Sequence, residues 1–229
     1  MNVTVGTPPK NLAVLLDTGS SDLWVLSVGA NFCNKKLCDQ DSFDSSQSSS
    51  FLSLQEEFFG VYGSTNASGE YITETVQVGS ASFTNFTMAL VNNSTNQTQG
   101  IMGVGYPFGE AKLYNDILSG KVKSITEAEA DLTPTIIEQM VLNGYINRVA
   151  YSLYLDDIQD DTSSVLFGGV DTTKYTNDLV SLPIQSNGGL YDSLQVVLTS
   201  MAISDGSSTR ALTAKNFSQR ALLDSGTSA

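Results

Sequence analysis

Histidine is absent from the 229 residues. Without an imidazole, Ser-His-Asp and Cys-His catalysis are excluded, and an ordinary zinc site loses its commonest nitrogen ligand. Basic residues are scarce: 11 Lys and Arg stand against 24 Asp and Glu, for a formal charge of −13. Such a chain is a poor match for nucleic acid or an anionic membrane surface. No apolar run approaches the length of a transmembrane helix. What is present is a hydrophobic content of 41%, enough for a real core in one large domain or two small ones. Acid–base chemistry then falls to carboxylates, a few lysines and tyrosines.

The two cysteines, Cys33 and Cys38, lie in Cys-Asn-Lys-Lys-Leu-Cys. They can close a small loop or stand as two free thiols. Asn-X-Ser/Thr occurs at Asn2, Asn66, Asn85, Asn92, Asn93, Asn96 and Asn216. That density in loop-like segments suits a secreted glycoprotein, where a disulfide persists. The opening Met-Asn-Val-Thr-Val-Gly conflicts with this, having neither a basic nor an apolar leader region. Either a signal was removed or the chain is incomplete.

Short apolar runs separated by Gly, Ser, Asn and Thr predict strands at 3–5, 12–16, 23–26, 83–91, 149–155, 164–167 and 194–203. In 71–78, Ile72, Val76 and Val78 share one face, with Glu74 as the exception. One helix is expected, with Thr133 as N-cap, Pro134 in its first position, a stripe of Ile136, Ile137, Met140 and Val141, and Gly144 at its end. The fold class is mostly β with a minor helical part.

Val14-Leu15-Leu16-Asp17-Thr18-Gly19-Ser20-Ser21 recurs as Ala221-Leu222-Leu223-Asp224-Ser225-Gly226-Thr227-Ser228, five of eight positions being identical at a separation of 207. A repeat this distant implies two related halves. In each copy an apolar strand carries an acid to its end and turns on a glycine, with hydroxyls placed to hydrogen-bond the carboxylate or the opposite loop. An Asp behind Leu-Leu is costly to bury alone. Two such loops meeting across a twofold axis bring Asp17 and Asp224 together, and like charges so close hold one shared proton. One member is then a base and the other an acid.

With these residues the sequence resembles the pepsin-like aspartic proteases, nearest to the fungal yapsin-like branch; the handling of a shared proton by two Asp is a general example of that family's chemistry. Gly6-Thr7-Pro8 and Asp17-Thr18-Gly19-Ser20-Ser21-Asp22-Leu23-Trp24-Val25 match its first signature. Tyr62-Gly63-Ser64 with Gly69 resembles its flap hairpin, Gly100–Gly103 the strand beside the first aspartate, and Val165–Asp171 with Tyr175 the start of its second lobe. The resemblance implies a bilobal fold with pseudo-twofold symmetry, divided as 1–148 and a partial lobe 149–229. It implies an aspartic-type endopeptidase of acidic optimum, without cofactor or metal, acting as a monomer on extended peptides, free, cell-surface or vacuolar. Asp17 and Asp224 are the implied catalytic pair. Gly19, Tyr62, Gly63, Ser64, Gly226 and Thr227 would contact substrate, and Thr18, Ser20, Ser225 and Trp24 would support them, Trp24 as a hydrogen-bonding neighbour of Tyr62. Cys33 and Cys38 sit where the family has its first small disulfide loop.

The chain stops five residues after Asp224. By the repeat's own symmetry the second lobe is incomplete, and this stretch alone is expected to be inactive or poorly folded. Two alternatives remain. One is a non-catalytic glycosylated peptide-binding protein on the same scaffold. The other is a metal-binding acidic protein using Asp39, Asp41 and Asp44, or Asp156, Asp157, Asp160 and Asp161, although these runs lack the glycine and closing Glu of calcium loops.

Overall fold

A computed structural model describes residues 1–31, 42–63, 65–95, 97–156 and 163–227. Cys33, Cys38, Ser64, Asn96 and most of the two acidic runs (Asp39, Asp41, Asp157, Asp160 and Asp161) lie outside the described residues.

The first part is a sheet. Its strands are β1 (Asn2–Val5), β2 (Lys10–Asp17), β3 (Leu23–Ser27), β4 (Ser42–Phe43), β5 (Leu52–Tyr62), β6 (Thr65–Val78), β7 (Ala81–Ser94) and β8 (Gly100–Gly103). They pair in the order β1-β2-β8-β3-β7-β6-β5, with β4 beside β3 and β1 returning to pair with β6. The path therefore closes on itself through β1, leaving β4 and β5 with one neighbour each, and the β5–β6 hairpin extends beyond the ring. Three short helices follow: α1 (Ala111–Leu118), α2 (Ile125–Asp131) and α3 (Ile136–Leu142).

The alternation read in 71–78 places Ile72, Val76 and Val78 in the core, and Glu74 is buried with them. That carboxylate is tolerated because Ser50 Oγ and the Thr75 amide, at 2.7 Å, donate to its Oε1. Asn85 takes a left-handed φ of 53° where β7 slips register against β6 between Glu74 and Val76. Asn suits such a bulge because it adopts that conformation at little cost.

The expected helix starts two residues late. Its N-cap is Thr135, not Thr133, and Glu138 completes a capping box by accepting the Thr135 amide at 2.9 Å. Pro134 therefore precedes the cap, and Thr133 turns away to bond Glu110. Ile136, Ile137 and Met140 pack into the sheet core, Val141 is half-buried, and Gly144 closes the end at φ 74°.

The later strands are β9 (Tyr151–Tyr154), β10 (Ser164–Phe167), β11 (Gln195–Leu198), β12 (Ala202–Ser204), β13 (Thr209–Ala211) and β14 (Gln219–Leu222), arranged as three separate pairs, β9–β10, β11–β14 and β12–β13. The single strand expected over 194–203 is thus two. The chain changes partner at 199–201, where the Met201 carbonyl accepts from the Leu212 amide at 2.8 Å. Among the described residues beyond 150, Val196 is the one buried hydrophobic side chain.

Candidate active site

β2 runs parallel to β8 with Asp17 opposite Gly103, and β8 then pairs antiparallel with β3, Met102 opposite Leu23. The loop 18–22 therefore wraps the end of β8. The amides of Gly103, Val104 and Gly105 donate to the carbonyls of Asp22, Asp17 and Ser20 at 2.9, 2.8 and 2.8 Å. A Cβ on Gly103 would stand 2.6 Å from the carbonyl carbon of Ser21, so only glycine lets the loop close. The second copy follows β14, and the Leu223 amide is anchored on the Leu194 carbonyl at 3.0 Å.

The two loops bond each other in matching pairs. Thr18 Oγ1 donates to the Leu223 carbonyl at 2.7 Å, and Ser225 Oγ donates to the Leu16 carbonyl at 2.7 Å. In return the Ser225 amide donates to Thr18 Oγ1 at 2.9 Å and the Thr18 amide to Ser225 Oγ at 3.2 Å. Each hydroxyl thus reaches the carbonyl just before the opposite aspartate. Within each loop, the glycine amide donates to its own aspartate, Gly19 to Asp17 at 2.9 Å and Gly226 to Asp224 at 2.8 Å, and Ser20 and Thr227 donate to the second oxygens.

This exchange carries the carboxylates across to each other. A Cβ on Gly226 would lie 2.7 Å from Cγ of Asp17, and one on Gly19 would lie 2.9 Å from Cγ of Asp224. Asp17 is 5% exposed, whereas Asp224 is half-exposed. Burial raises Asp17 above the usual carboxylate range, against the hydrogen bonds from Ser20 and Gly19, and the Asp224 carboxyl raises it further. Asp224 is pulled down: burial opposes this, but hydrogen bonds from Thr227, Asp17 and Gly226 outweigh it. The two carboxyls therefore act on each other, with Asp17 raised by burial and by its neighbour and Asp224 lowered by its donors.

Tyr62, at the end of β5, folds back over Gly60, with its ring 5.9 Å from that of Trp24. Burial, and then the Asp22 charge, hold its phenol well above the ordinary range, with the Asp17 charge adding to this. The two rings are neighbours, and a polar contact from the Trp24 indole to the Tyr62 hydroxyl works against that rise, although Trp24 Nε1 is outside strict hydrogen-bonding geometry. Gly63 forms the hairpin turn at φ 57°.

Sequence reasoning missed three side chains here. Asp22, five residues past Asp17, accepts from Tyr71 Oη at 2.9 Å and from the Ala111 amide at 2.8 Å. It keeps some accessible surface, yet protein packed around its carboxyl raises its pKa by burial against those two bonds. Burial and the Asp22 charge push Glu110 up to about 8, and its Oε2 accepts from the Thr133 amide at 3.3 Å. Asp22 was visible in the motif; Glu110 and Tyr71 carry no local signal, because their partners are distant in the chain.

Asn2, Asn66, Asn85, Asn92, Asn93 and Asn216 are exposed. Among the described residues no group of three or more carboxylates or thiols is arranged to hold a metal ion, and no helix is long and apolar enough to cross a membrane. A cavity of about 320 Å3 beside α3, lined by Pro107, Leu132, Pro134, Val141, Leu142 and Val149, contains neither aspartate.

The structure brings together two Asp-Thr/Ser-Gly loops, cross-bonded on a mostly β scaffold with their carboxyls in contact. The chain belongs to the eukaryotic aspartyl protease family, whose model matches residues 1–229. It is 37% identical over 232 residues to the probable aspartic-type endopeptidase opsB of Aspergillus oryzae, covering 99% of this chain and 45% of that protein. It is 33% identical over 236 residues to aspartic proteinase yapsin-3 of Saccharomyces cerevisiae, covering 99% and 45%. With secreted aspartic protease 3 of Candida albicans it shares 34% over 207 residues, covering 86% and 46%. The chain thus spans about half the length of the curated relatives it matches. Its fold superposes on the crystal structure of the aspartic proteinase from Irpex lacteus with a TM-score of 0.73 at 22% identity, covering 99% of this chain and 58% of that one.

Proposed function

We propose that the protein of which these residues are part is an aspartic-type endopeptidase working at acidic pH. The observation that carries this is the reciprocal bonding of Thr18 and Ser225, which sets Asp17 and Asp224 face to face. A water between the two carboxyls gives a proton to the ionised member and attacks the peptide carbonyl, while the protonated member donates to the carbonyl oxygen. Two fixed acids supply the orientation of that attack. The hairpin around Tyr62 and Gly63 closes over an extended peptide and excludes bulk water. Backbone at Gly19 and Gly226, with the hydroxyl of Thr227, lines the peptide.

The same reading makes the protein a secreted, cell-surface or vacuolar monomer, with glycans on the exposed sequons and a Cys33–Cys38 disulfide. Support for this comes from sequon density and from the relatives named above. In the lobe division, 1–148 carries the first aspartate and the flap, and 149–229 carries the second aspartate.

The test is Asp17→Asn in the full-length protein, assayed on an unfolded protein substrate at acidic pH. Cleavage is expected to fall by about 10²–10⁴-fold or more, because one proton-transfer partner is lost. Retained cleavage refutes the reading.

A further inference from the structure

A second acidic cluster stands behind the aspartate pair. Asp22, at the far end of the first aspartate loop, takes the Tyr71 hydroxyl from β6 and the Ala111 amide from the start of α1. Glu110, the N-cap residue of α1, is 5% exposed and faces the same small cavity. That cavity is about 20 Å3 and is lined by Ser21, Asp22, Tyr71, Glu110, Thr133 and Thr135 among others. This is the size of one water molecule, and the walls offer it hydroxyls and carboxyls as partners.

The charges meeting here are of one sign. Glu110 feels Asp22 and Glu138, and Tyr71 feels Asp22 and Glu110. On the cleft side Tyr62 feels both Asp22 and Asp17. Lys112 of α1 places its ammonium on Asp116, 3.4 Å away. Two carboxylates sharing a small enclosed site resist joint ionisation.

We propose that Asp22 and Glu110 hold one proton between them across a single water bound in this cavity, and that this acid pair positions the first aspartate loop against the base of the flap hairpin. The joint is visible in the bonds. The Asp22 carbonyl accepts from Gly103 beside Asp17, at 2.9 Å. Its carboxylate takes the Tyr71 hydroxyl, and the Tyr71 ring meets Phe58 of β5 edge-on at 5.3 Å. Both flap strands therefore connect to the loop through Asp22. Asp22 is the ionised member, since it receives two donors, one of them at the positive end of α1. Glu110 keeps the proton. Loss of that proton sets two negative charges across the cavity and loosens the joint.

The sign of the pH dependence follows. Glu110 is raised from 4.5 to about 8. The folded protein holds this proton where the unfolded chain releases it, so the stability it contributes is intact below about pH 4.5, declines between there and about pH 8, and is gone above.

The reporter is built in. Trp24 is the single tryptophan, is 0% exposed, and lies two residues after Asp22. The experiment follows Trp24 fluorescence and the urea midpoint of the full-length protein from about pH 4 to about pH 9, with and without Glu110→Gln. The wild type is expected to show a fluorescence transition near pH 8 and a urea midpoint that falls toward it. Glu110→Gln moves the transition by about one pH unit or more, or removes it, and flattens the midpoint curve. Identical pH dependence in the two proteins overturns the proposal. If Glu110→Gln does not fold, the infrared carbonyl band of a protonated carboxylic acid decides. Its persistence at neutral pH in an Asp17→Asn background supports the pair, and its loss there by about pH 6 overturns it. Neither readout involves peptide cleavage, so failure here and failure of the peptidase reading are separable.

Discussion

The two Asp-Thr/Ser-Gly loops have the same internal hydrogen bonds and different surroundings. The first sits at the centre of a sheet that closes on itself, and its aspartate is buried. The second ends a two-stranded ladder, and its aspartate is half-exposed. Local geometry therefore belongs to the eight-residue motif, which carries its own donors and acceptors. Proton affinity belongs to the packing around it, so Asp17 rises and Asp224 falls.

The sharpest contrast is between cores. Leu26 is fully buried behind the first loop, and Leu26→Ala is expected to lower stability by about 2–5 kcal/mol in urea unfolding. A loss below about 1 kcal/mol would show that the first half is not the better-packed one. Next come the reciprocal hydroxyls. Thr18→Ala removes a buried hydroxyl that serves both the Leu223 carbonyl and the Ser225 amide, and should cost about 1–3 kcal/mol. Ser225→Ala removes the mirror pair of bonds at a half-exposed position and should cost less. Equal losses would mean that burial does not distinguish the loops. The smallest effect is at Val180, 84% exposed, where Val180→Ser should leave the unfolding midpoint within about 0.5 kcal/mol of the wild type.

Both aspartate loops were legible before any coordinates, because a strand, an acid and a turn glycine are contiguous in the chain. The stripe of α3 was legible for the same reason; its start differs because the Thr135–Glu138 capping box, rather than Pro134, sets the first turn. The run 194–203 read as one strand because apolar periodicity says nothing about partners, and here the partner changes from β14 to β13. Trp24 and Tyr62 are neighbours as the motif implies, with their ring centroids 5.9 Å apart. Asp22, Glu110 and Tyr71 were illegible as a group. They come from a loop, a helix cap and a strand, and only the folded chain brings them to one cavity.

The most direct test is an NMR titration of isotope-labelled aspartate carboxyls in the full-length protein, with and without Asp224→Asn. If the two groups compete for one proton, Asp17 titrates above the ordinary carboxylate range in the wild type and shifts downward when its neighbour is neutralised. An Asp17 curve unchanged by Asp224→Asn would contradict the account.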